Sequence, residues 1–473
     1  MVSEQTGAHV SPSVAGESRA TGEGVEVTDR ATGDVLATVE TADDGTLSDA
    51  VESASAVMPT LRETPALRRA EWCEAIATGV RERRAELAES VVRESGTPIA
   101  SARTEVESAA EQFDRVAGEL RSLTGEYRTW TTVERTGDNS LVRAAPLGVV
   151  RCRPAARAPL ATAALQVAPA IAAGNSVLLN PPTTASVTVS KLAEIVDPHL
   201  PAGACSFVPS VYVVAKGSET ATNDVAAVID SRSTAAPGAT GHPGVTRFDL
   251  QLGGTATALV FPDADLDAAA ATIAGDGPSG VDRRLAGASH VLVHDSVRAE
   301  LVDRIAEELA SWTAGDLFDE ATSVAPLRDE EHVQRLTSRL RDAVARGAEL
   351  VRGGEADGLT VEPTLVSDVP ADAALRREEQ LGPVVPVTAF GSQSDALRIA
   401  DSTGPALAAT VFTDSHSRAM DVAAAIDAGT VRVHGPDAAG AVSVERDRLG
   451  GIGGQGVQES ITRLTRTKRV VQR

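Results

Sequence analysis

The chain has 473 residues and a hydrophobic content of 42%, which is enough to bury a large core and suggests two or three domains. Its formal net charge is −22, and among its 44 basic residues the lysines are few: Lys191, Lys216 and Lys468. This balance disfavours non-specific binding to nucleic acid or to an anionic membrane, because the field of the whole molecule repels both.

We interpret the acidic, lysine-poor composition as a halophilic surface, adapted to a high-salt cytoplasm. Salt at about 1 M screens charges over roughly 3 Å, which removes the self-repulsion of such a surface. An acidic protein from an ordinary cytosol is the alternative.

The cysteines and the N-terminal stretch indicate an intracellular protein. Cys73, Cys152 and Cys205 lack the CxxC spacing of a zinc site and are too scattered for a disulfide framework. We therefore expect no metal, and a reducing, cytoplasmic location. Residues 1–24 are polar and lack the apolar core of a signal peptide, which predicts a disordered lead-in. No segment is apolar over the length that a membrane span requires.

The predicted elements begin with a hairpin and a helical region. Two apolar runs within residues 25–38 flank a loop that is rich in turn formers. Between residues 47 and 120, apolar side chains recur at helical spacing. Gly96 is typical of a helix end, and Thr97-Pro98 of the next helix start.

Strands and helices alternate in the rest of the chain. A second, more exposed hairpin is predicted within residues 127–144. Over residues 146–208 the alternation predicts right-handed βαβ units on a parallel sheet, a layout typical of nucleotide-binding domains. A second α/β unit is predicted over residues 254–437, and a closing strand over residues 460–471.

Short motifs with distinctive residues occur in order along the chain: Pro146-Leu147-Gly148-Val149-Val150, Pro159-Leu160, residues 167–175, Leu200-Pro201-Ala202-Gly203, Leu250-Gln251-Leu252-Gly253-Gly254, Pro262-Asp263-Ala264-Asp265-Leu266-Asp267, Ser289-His290-Val291-Leu292-Val293-His294, residues 378–384 and Val411-Phe412-Thr413. In residues and in order, these motifs resemble the aldehyde dehydrogenase superfamily. The resemblance covers nearly the whole chain, from Val25 to Val471.

The resemblance implies an α/β fold of the aldehyde dehydrogenase type, with a Rossmann-like cofactor domain, an α/β catalytic-type domain and a small oligomerisation hairpin. The implied boundaries are a lead-in at 1–24, a cofactor-type domain at 25–125 and 146–250, oligomerisation elements at 126–145 and 455–473, and a catalytic-type domain at 251–454. We accordingly expect a homo-oligomer, or a hetero-oligomer with an active relative.

The family oxidises aldehydes to carboxylic acids with NAD(P), and the resemblance implies which positions carry that chemistry. A thiolate adds to the aldehyde, hydrogen-bond donors hold the alkoxide, and a carboxylate activates water. Gln251 stands at the glutamate base, Leu285 at the cysteine nucleophile and Arg157 at the oxyanion-binding asparagine. Glutamine accepts no proton at ordinary pH and leucine has no lone pair, so the catalytic positions are substituted.

The positions that the resemblance implies for NAD or NADP are altered as well. Asn180 replaces the lysine that holds the adenosine ribose in the family, and Ser233 ends the turn implied for the pyrophosphate. Glu379 is retained, and in the family this residue contacts the ribose on the nicotinamide side. We expect weak binding of NAD(P).

Near these positions, the chain carries a set of arginines: Arg151, Arg153, Arg157, Arg283 and Arg284. Guanidinium groups suit carboxylates and phosphates, so one hypothesis is a pocket for an anionic ligand. Pairing of these arginines with local acids, such as Asp230 and Asp282, is the alternative.

Three functions are compatible with these residues. The first is a pseudoenzyme of the family that has lost, or nearly lost, aldehyde oxidation and acts as a partner or regulatory subunit. The second is residual or altered NAD(P)-dependent oxidation of an aldehyde. The third is binding of a small anionic ligand by the arginine-rich pocket. Neither nucleic acid nor a membrane is expected as a partner.

Overall fold

The structure is a computed structural model that describes residues 8–22, 24–122, 126–129, 139–210, 225–231, 247–251, 255–274, 290–378, 380, 382–402, 406–433, 444–446 and 451–472. Within these ranges, no helix is long and apolar enough to cross a membrane.

The N-terminal residues form short strands: β1 (Ala8–Val10), β2 (Ser13–Val14), β3 (Glu17–Ser18), β4 (Gly24–Thr28) and β5 (Val35–Glu40). The prediction of a disordered lead-in at 1–24 is therefore wrong for residues 8–22. β1 pairs in parallel with β5, whose last residue, Glu40, is buried. The Glu40 carboxylate accepts hydrogen bonds from the backbone amides of Thr21 and Gly22, at 3.2 and 3.3 Å. These distant partners satisfy a polar segment that has no apolar pattern of its own.

Five helices follow, as the periodicity of residues 47–120 predicts: α1 (Asp44–Ala56), α2 (Met58–Glu63), α3 (Ala66–Glu82), α4 (Arg84–Ser95) and α5 (Ile99–Ser122). Asp43 caps α1 by accepting a hydrogen bond from the amide of Thr46 at 2.7 Å. Gly96 ends α4 in the left-handed conformation, with φ of 76°. The apolar stripe of α5, which includes Phe113, packs into the core of the first sheet.

The first sheet has a parallel centre made of β8 (Val149–Arg153), β9 (Ser176–Leu179), β10 (Cys205–Phe207), β11 (Val225–Ser231) and β12 (Arg247–Gln251). Its order is β12-β11-β8-β9-β10, with β22 (Val444–Arg446) and β23 (Gly451–Gln455) beyond β12, and β2 and β3 beyond β10. The connections run through helices α6 (Pro159–Ala172) and α7 (Ser186–Val196). This is the predicted βαβ layout, and the strand order reverses between β8 and β11.

Both faces of the first sheet are covered. Val150 and Cys152 face the cluster that contains α3, α5 and α6, whereas Val149 faces the cluster that contains α1. Alternate residues of β8 therefore point to opposite, equally buried faces, which explains the continuous apolar runs of these strands.

The second α/β unit contains β13 (Thr255–Val260), α8 (Leu266–Ala274), β14 (His290–His294), α9 (Arg298–Ala310), α10 (Glu330–Ala345), β15 (Glu349–Arg352), β16 (Ala356–Asp357), β17 (Thr360–Val361), β18 (Thr364–Ser367), α11 (Ala374–Arg377), β19 (Val384–Phe390), α12 (Gln393–Asp401), β20 (Ala406–Phe412), α13 (His416–Ala425) and β21 (Ala428–Val433). Its main sheet has the order β15-β18-β19-β14-β13-β20-β21, in which β15 is antiparallel and the other pairs are parallel.

A third sheet joins the predicted second hairpin to the end of the chain. β6 (Glu126–Thr129) and β7 (Asn139–Pro146) form the hairpin, and β24 (Thr465–Gln472) pairs with β7. The predicted closing strand at 460–471 is wrong for its first residues, because α14 (Val457–Arg463) precedes β24. Ile461 and Leu464 are buried in the core of the first sheet, which favours the helix there.

Candidate functional site

The carboxyl ends of β8, β11 and β12 meet at one edge of the first sheet, beside the point where the strand order reverses. In open α/β sheets, ligands bind at this place. The Cα partner of Arg153, the last residue of β8, is Asp230 of β11. Ser231 of β11 is in turn the partner of Gln251 of β12. The sheet thus brings Gln251, the position of the base, to the same edge as the arginine-bearing strand.

Arg151 and Asn180 are joined by hydrogen bonds at this edge. Nε and one terminal nitrogen of Arg151 donate to Oδ1 of Asn180, at 2.9 and 2.6 Å. The side-chain amide of Asn180 donates to the carbonyl of Val208 and to Oγ of Ser210, the latter at 3.2 Å. The backbone amide of Asn180 donates to the carbonyl of Cys152 at 2.8 Å. Asn180 is therefore buried and tied to two neighbouring segments, β8 and the residues that follow β10.

The turn that carries Arg157 joins β8 to α6. Ala158 adopts a left-handed conformation, with φ of 45°, and makes no side-chain cap for α6. Glu105 of α5 supplies the cap, because its Oε1 accepts hydrogen bonds from the amides of Leu160 and Ala161 at 2.8 and 3.2 Å. Arg157 itself is half-buried, two residues before the helix. A guanidinium there has the donors to hold an anion, with a longer reach than an asparagine.

A second buried carboxylate caps α7. Glu94 of α4 accepts hydrogen bonds from the amides of Val187 and Thr188, at 2.7 and 2.8 Å. Burial raises the pKa of Glu94 to about 7, against the opposing effect of these hydrogen bonds. Sequence reasoning missed Glu94 and Glu105, because a cap that comes from another helix leaves no local motif.

None of the three cysteines has the properties of a reactive thiol. Cys73, Cys152 and Cys205 are free and buried, and burial raises the pKa of each thiol, to about 12 for Cys73 and Cys205. Such thiols carry essentially no thiolate at neutral pH. These cysteines pack in the core, as the sequence predicts.

Several predicted site residues lie outside the described ranges: Ser233, Arg283, Arg284, Leu285 and Glu379. Their roles stay predictions. Within those ranges, no group of histidine, cysteine, aspartate or glutamate side chains is arranged to hold a metal ion.

Comparisons with known proteins point to one family. Residues 17–470 match the model of the aldehyde dehydrogenase family. The chain is 30% identical over 447 residues to the mitochondrial succinate-semialdehyde dehydrogenase of Oryza sativa, covering 91% of this chain and 82% of that protein. It is 28% identical over 444 residues to the NADP-dependent succinate-semialdehyde dehydrogenase of Escherichia coli, covering 92% and 90%.

A solved structure gives the same result for the fold. The NADP-dependent glyceraldehyde-3-phosphate dehydrogenase of Bacillus halodurans, complexed with NADP, superposes with a TM-score of 0.92. The match covers 98% of this chain and 99% of that one, at 26% identity. The architecture is therefore shared over essentially the full length, whereas about three quarters of the aligned residues differ.

Proposed function

The chain belongs to the aldehyde dehydrogenase family, and from this premise we propose that it is a member that has lost, or nearly lost, NAD(P)-dependent aldehyde oxidation. We further propose that it acts as a partner or regulatory subunit, in an oligomer with itself or with an active relative. The family and the fold are established, but active enzymes share them. The proposal therefore rests on the residues at the site.

The replacement of both reacting groups carries the proposal. Leu285 cannot form a thiohemiacetal, because its side chain has no lone pair and no ionisable proton. Gln251 lies at the carboxyl edge of the sheet, but an amide cannot accept a proton as a general base. No cysteine in the chain has a thiol that is both exposed and of ordinary pKa.

The residues described at the cofactor edge do not fit NAD(P) well. The family expectation is a lysine at the position of Asn180, and Asn180 carries no charge. Its side-chain oxygen is held by Arg151 and its nitrogen by Val208 and Ser210. Since these bonds occupy the amide, it is not available to hold a ribose hydroxyl.

Exposed apolar side chains on the third sheet support a role in assembly. Leu141 of β7 and Val470 of β24 are register partners, with exposures of 45% and 40%. Paired residues on adjacent strands lie on the same face, so together they form an apolar patch at the end of the chain. An apolar patch with this position suits contact with another subunit.

An assay of the wild-type protein tests the loss of oxidation. We expect no aldehyde-dependent formation of NADH or NADPH at high salt, with either succinate semialdehyde or glyceraldehyde-3-phosphate. The Escherichia coli relative serves as the positive control. Turnover by this chain at a rate near that of the control would overturn the proposal.

Measurement of mass in solution tests the assembly. Light scattering is expected to give a multiple of the 48.7 kDa chain mass. Leu141→Lys with Val470→Lys is expected to reduce that mass, whereas Leu67→Lys, at another exposed apolar position, is expected to leave it unchanged. A wild-type monomer that also fails to co-purify with an active relative would contradict the subunit role.

A second candidate function is the binding of an anionic ligand by Arg151, Arg153 and Arg157. These arginines lie within seven positions of one another, on β8 and the turn that follows it, beside the strand reversal. The names of the relatives favour the idea, because succinate semialdehyde carries a carboxylate and glyceraldehyde-3-phosphate a phosphate. Asp230, the register partner of Arg153, favours the alternative of local pairing.

Calorimetry against phosphorylated metabolites and carboxylates tests this second function. A saturable signal that Arg157→Ala weakens at least about tenfold supports a pocket, since charge-assisted hydrogen bonds contribute roughly 1.5–3 kcal/mol. Arg128→Ala, in the strand β6, is the control. Absence of binding, or binding that Arg157→Ala leaves unchanged, would remove the pocket from consideration.

A further inference from the structure

The chain turns from α14 into β24 at three residues whose backbone carbonyls all accept hydrogen bonds from distant side chains. One terminal nitrogen of Arg247 donates to the carbonyls of Arg463 and Thr465, at 2.9 and 2.8 Å. The side-chain amide of Asn175 donates to the carbonyl between them, that of Leu464, at 2.9 Å. Arg247 and Asn175 together are called the carbonyl clamp.

Both residues of the carbonyl clamp belong to the first sheet and its connections. Arg247 is the first residue of β12, and Asn175 directly precedes β9. Asn175 is buried, and its Oδ1 accepts a hydrogen bond from the amide of Gly148, next to β8, at 3.0 Å. The clamp therefore connects the last strand of the chain to the first sheet, through residues that lie 216 to 289 positions away in sequence.

The carbonyls at this turn need donors from outside the helix and the strand pair. The last carbonyls of an α-helix have no partner within the helix. At the start of β24, the register partner of Thr465 is Pro146, which has no N–H to donate across the pair. Arg247 donates to the carbonyl of Thr465 instead. The clamp thus acts at the point where the backbone of β7 has no donor to hold β24.

The side chains of β24 contribute little burial. The residues from Arg466 to Val471 are all exposed, although neighbours along a strand point to opposite faces. Both faces of this part of the strand are therefore open in the single chain. Burial lies before the strand, at Ile461 and Leu464, which belong to the core of the first sheet. A small sheet without a covered face is marginally stable by itself, so the bonds at the start of β24 matter for its position.

We propose that Arg247 and Asn175 are positioning residues for the assembly surface of the third sheet. They hold β24 in the register in which Leu141 and Val470 form one apolar patch. The inference rests on the proposed function, in which that patch contacts another subunit. Another subunit binds only the chains whose β24 is in place, so loss of the clamp lowers the apparent affinity between subunits by the fraction of chains in which the strand stays paired.

Light scattering over a range of protein concentrations tests the effect on assembly. Arg247→Met keeps the apolar stem of the side chain and removes its donors. We expect the concentration of half-assembly to rise about tenfold or more, as the loss of hydrogen bonds from a charged group does. Because one nitrogen makes both bonds, Arg247→Lys is expected to restore most of the assembly. Arg121→Met, which removes an exposed ion pair with Glu74, is the matched control and is expected to assemble as the wild type does.

Asn175→Asp removes the other donor of the carbonyl clamp. The aspartate keeps an oxygen for the amide of Gly148 and turns a second acceptor toward the carbonyl of Leu464. We expect a loss of assembly at least as large as that of Arg247→Met, because two acceptors then face each other in a buried place. Arg247→Met stays informative if this variant does not fold, since Arg247 is exposed.

Amide hydrogen exchange separates positioning of the strand from a general loss of stability. In Arg247→Met, we expect the amides of β24 and β7 to exchange about tenfold faster or more, and those of α5 to keep the wild-type rate. Wild-type rates in β24 of Arg247→Met, or an increase of the same size in α5, would overturn the positioning role.

The outcomes separate this inference from the proposed function. An assembled wild type, with a mass and exchange rates that Arg247→Met leaves unchanged, would overturn the clamp and leave the subunit role intact. A wild type that stays monomeric and does not co-purify with an active relative would contradict the subunit role, and the role of the clamp in assembly with it.

Discussion

The N-termini of α6 and α7, where backbone amides lack helical acceptors, and the carboxyl ends of the strands beside them, where ligands bind in open α/β sheets, are neighbouring regions at one edge of the first sheet. At the helix starts, two buried carboxylates, Glu105 and Glu94, accept hydrogen bonds from the amides that have no helical acceptor. At the carboxyl edge, the positions implied for catalysis and cofactor binding hold Gln251, Asn180 and Arg157. The first region holds groups that suit its electrostatics, whereas the residues of the second differ from those that the family resemblance implies.

The two regions differ because the first stabilises the fold, whereas the second is the place where ligands bind in folds of this type. The helix caps stabilise the fold directly, since removing either one leaves amides without partners. Under the proposed function, the groups implied at the carboxyl edge would act on ligands, and their replacement would cost little stability provided that new bonds form. Asn180, held by Arg151, shows such bonds. The fold is shared at a TM-score of 0.92 with an aldehyde dehydrogenase family structure, and under the proposed function it persists without the reacting groups.

The largest expected difference concerns kcat after the reacting groups are restored. If the edge has lost its cofactor site as well, Leu285→Cys with Gln251→Glu is expected to remain on the order of 10⁴-fold or more below an active relative in kcat. The assay is aldehyde-dependent NAD(P)H absorbance, with Gln251→Glu alone as the control. Turnover by the double variant would show that the cofactor half of the edge still functions.

Removing a helix cap is the next largest effect. Glu105→Ala leaves the buried amide of Leu160 and the half-buried amide of Ala161 without an acceptor, so the free energy of unfolding is expected to fall by about 2–3 kcal/mol. Urea unfolding measures this change. Glu107→Ala is the matched control on the same helix, because Glu107 makes an exposed ion pair with Arg81 and is expected to change stability by less than about 1 kcal/mol.

The second cap predicts a dependence on pH. The pKa of Glu94 is raised from 4.5 to about 7, so between these values the native state binds a proton that the unfolded state has released. The contribution of Glu94 to the free energy of unfolding is thus fully present below pH 4.5 and is lost as the pH rises through 7. From pH 5 to pH 8, the wild type is expected to lose about 2 kcal/mol relative to Glu94→Gln. A constant difference between the two proteins, measured by urea unfolding, would contradict this assignment.

The smallest expected effect is on thiol chemistry, where we expect the native protein not to react with a thiol reagent. Because Cys73, Cys152 and Cys205 are buried and burial raises their pKa, a thiol reagent is expected to label none of them in the native protein at pH 8. All three cysteines are expected to react after unfolding in urea. Rapid labelling of the native chain would reveal an accessible thiolate. It would contradict the assignment of these cysteines to the buried core.

The parts of the fold that sequence predicts well are those that local spacing determines. The periodicity of residues 47–120 is confirmed as α1 to α5, and the strand-helix alternation after Pro146 as a parallel sheet. The prediction for residues 8–22 is wrong because their partners, β5 and Glu40, lie elsewhere in the chain. The predicted strand at 460–471 is wrong at its start because burial of Ile461 and Leu464 favours a helix.

Substitutions at the site are visible in the sequence, but their new contacts are not. Counting along the motifs identifies Gln251 and Asn180 as replacements. It cannot indicate that Arg151 binds Asn180, because the two residues lie 29 positions apart and meet only across paired strands.

Titration of the wild-type protein with NAD and with NADP, followed by calorimetry at high salt, tests the central claim about the carboxyl edge most directly. The contacts of Asn180 predict no saturable binding up to about 1 mM, the upper end of ordinary Michaelis constants. Saturable binding of either cofactor with a Kd in the micromolar range would contradict the claim, because the edge would then have kept its cofactor site while losing only the nucleophile and the base.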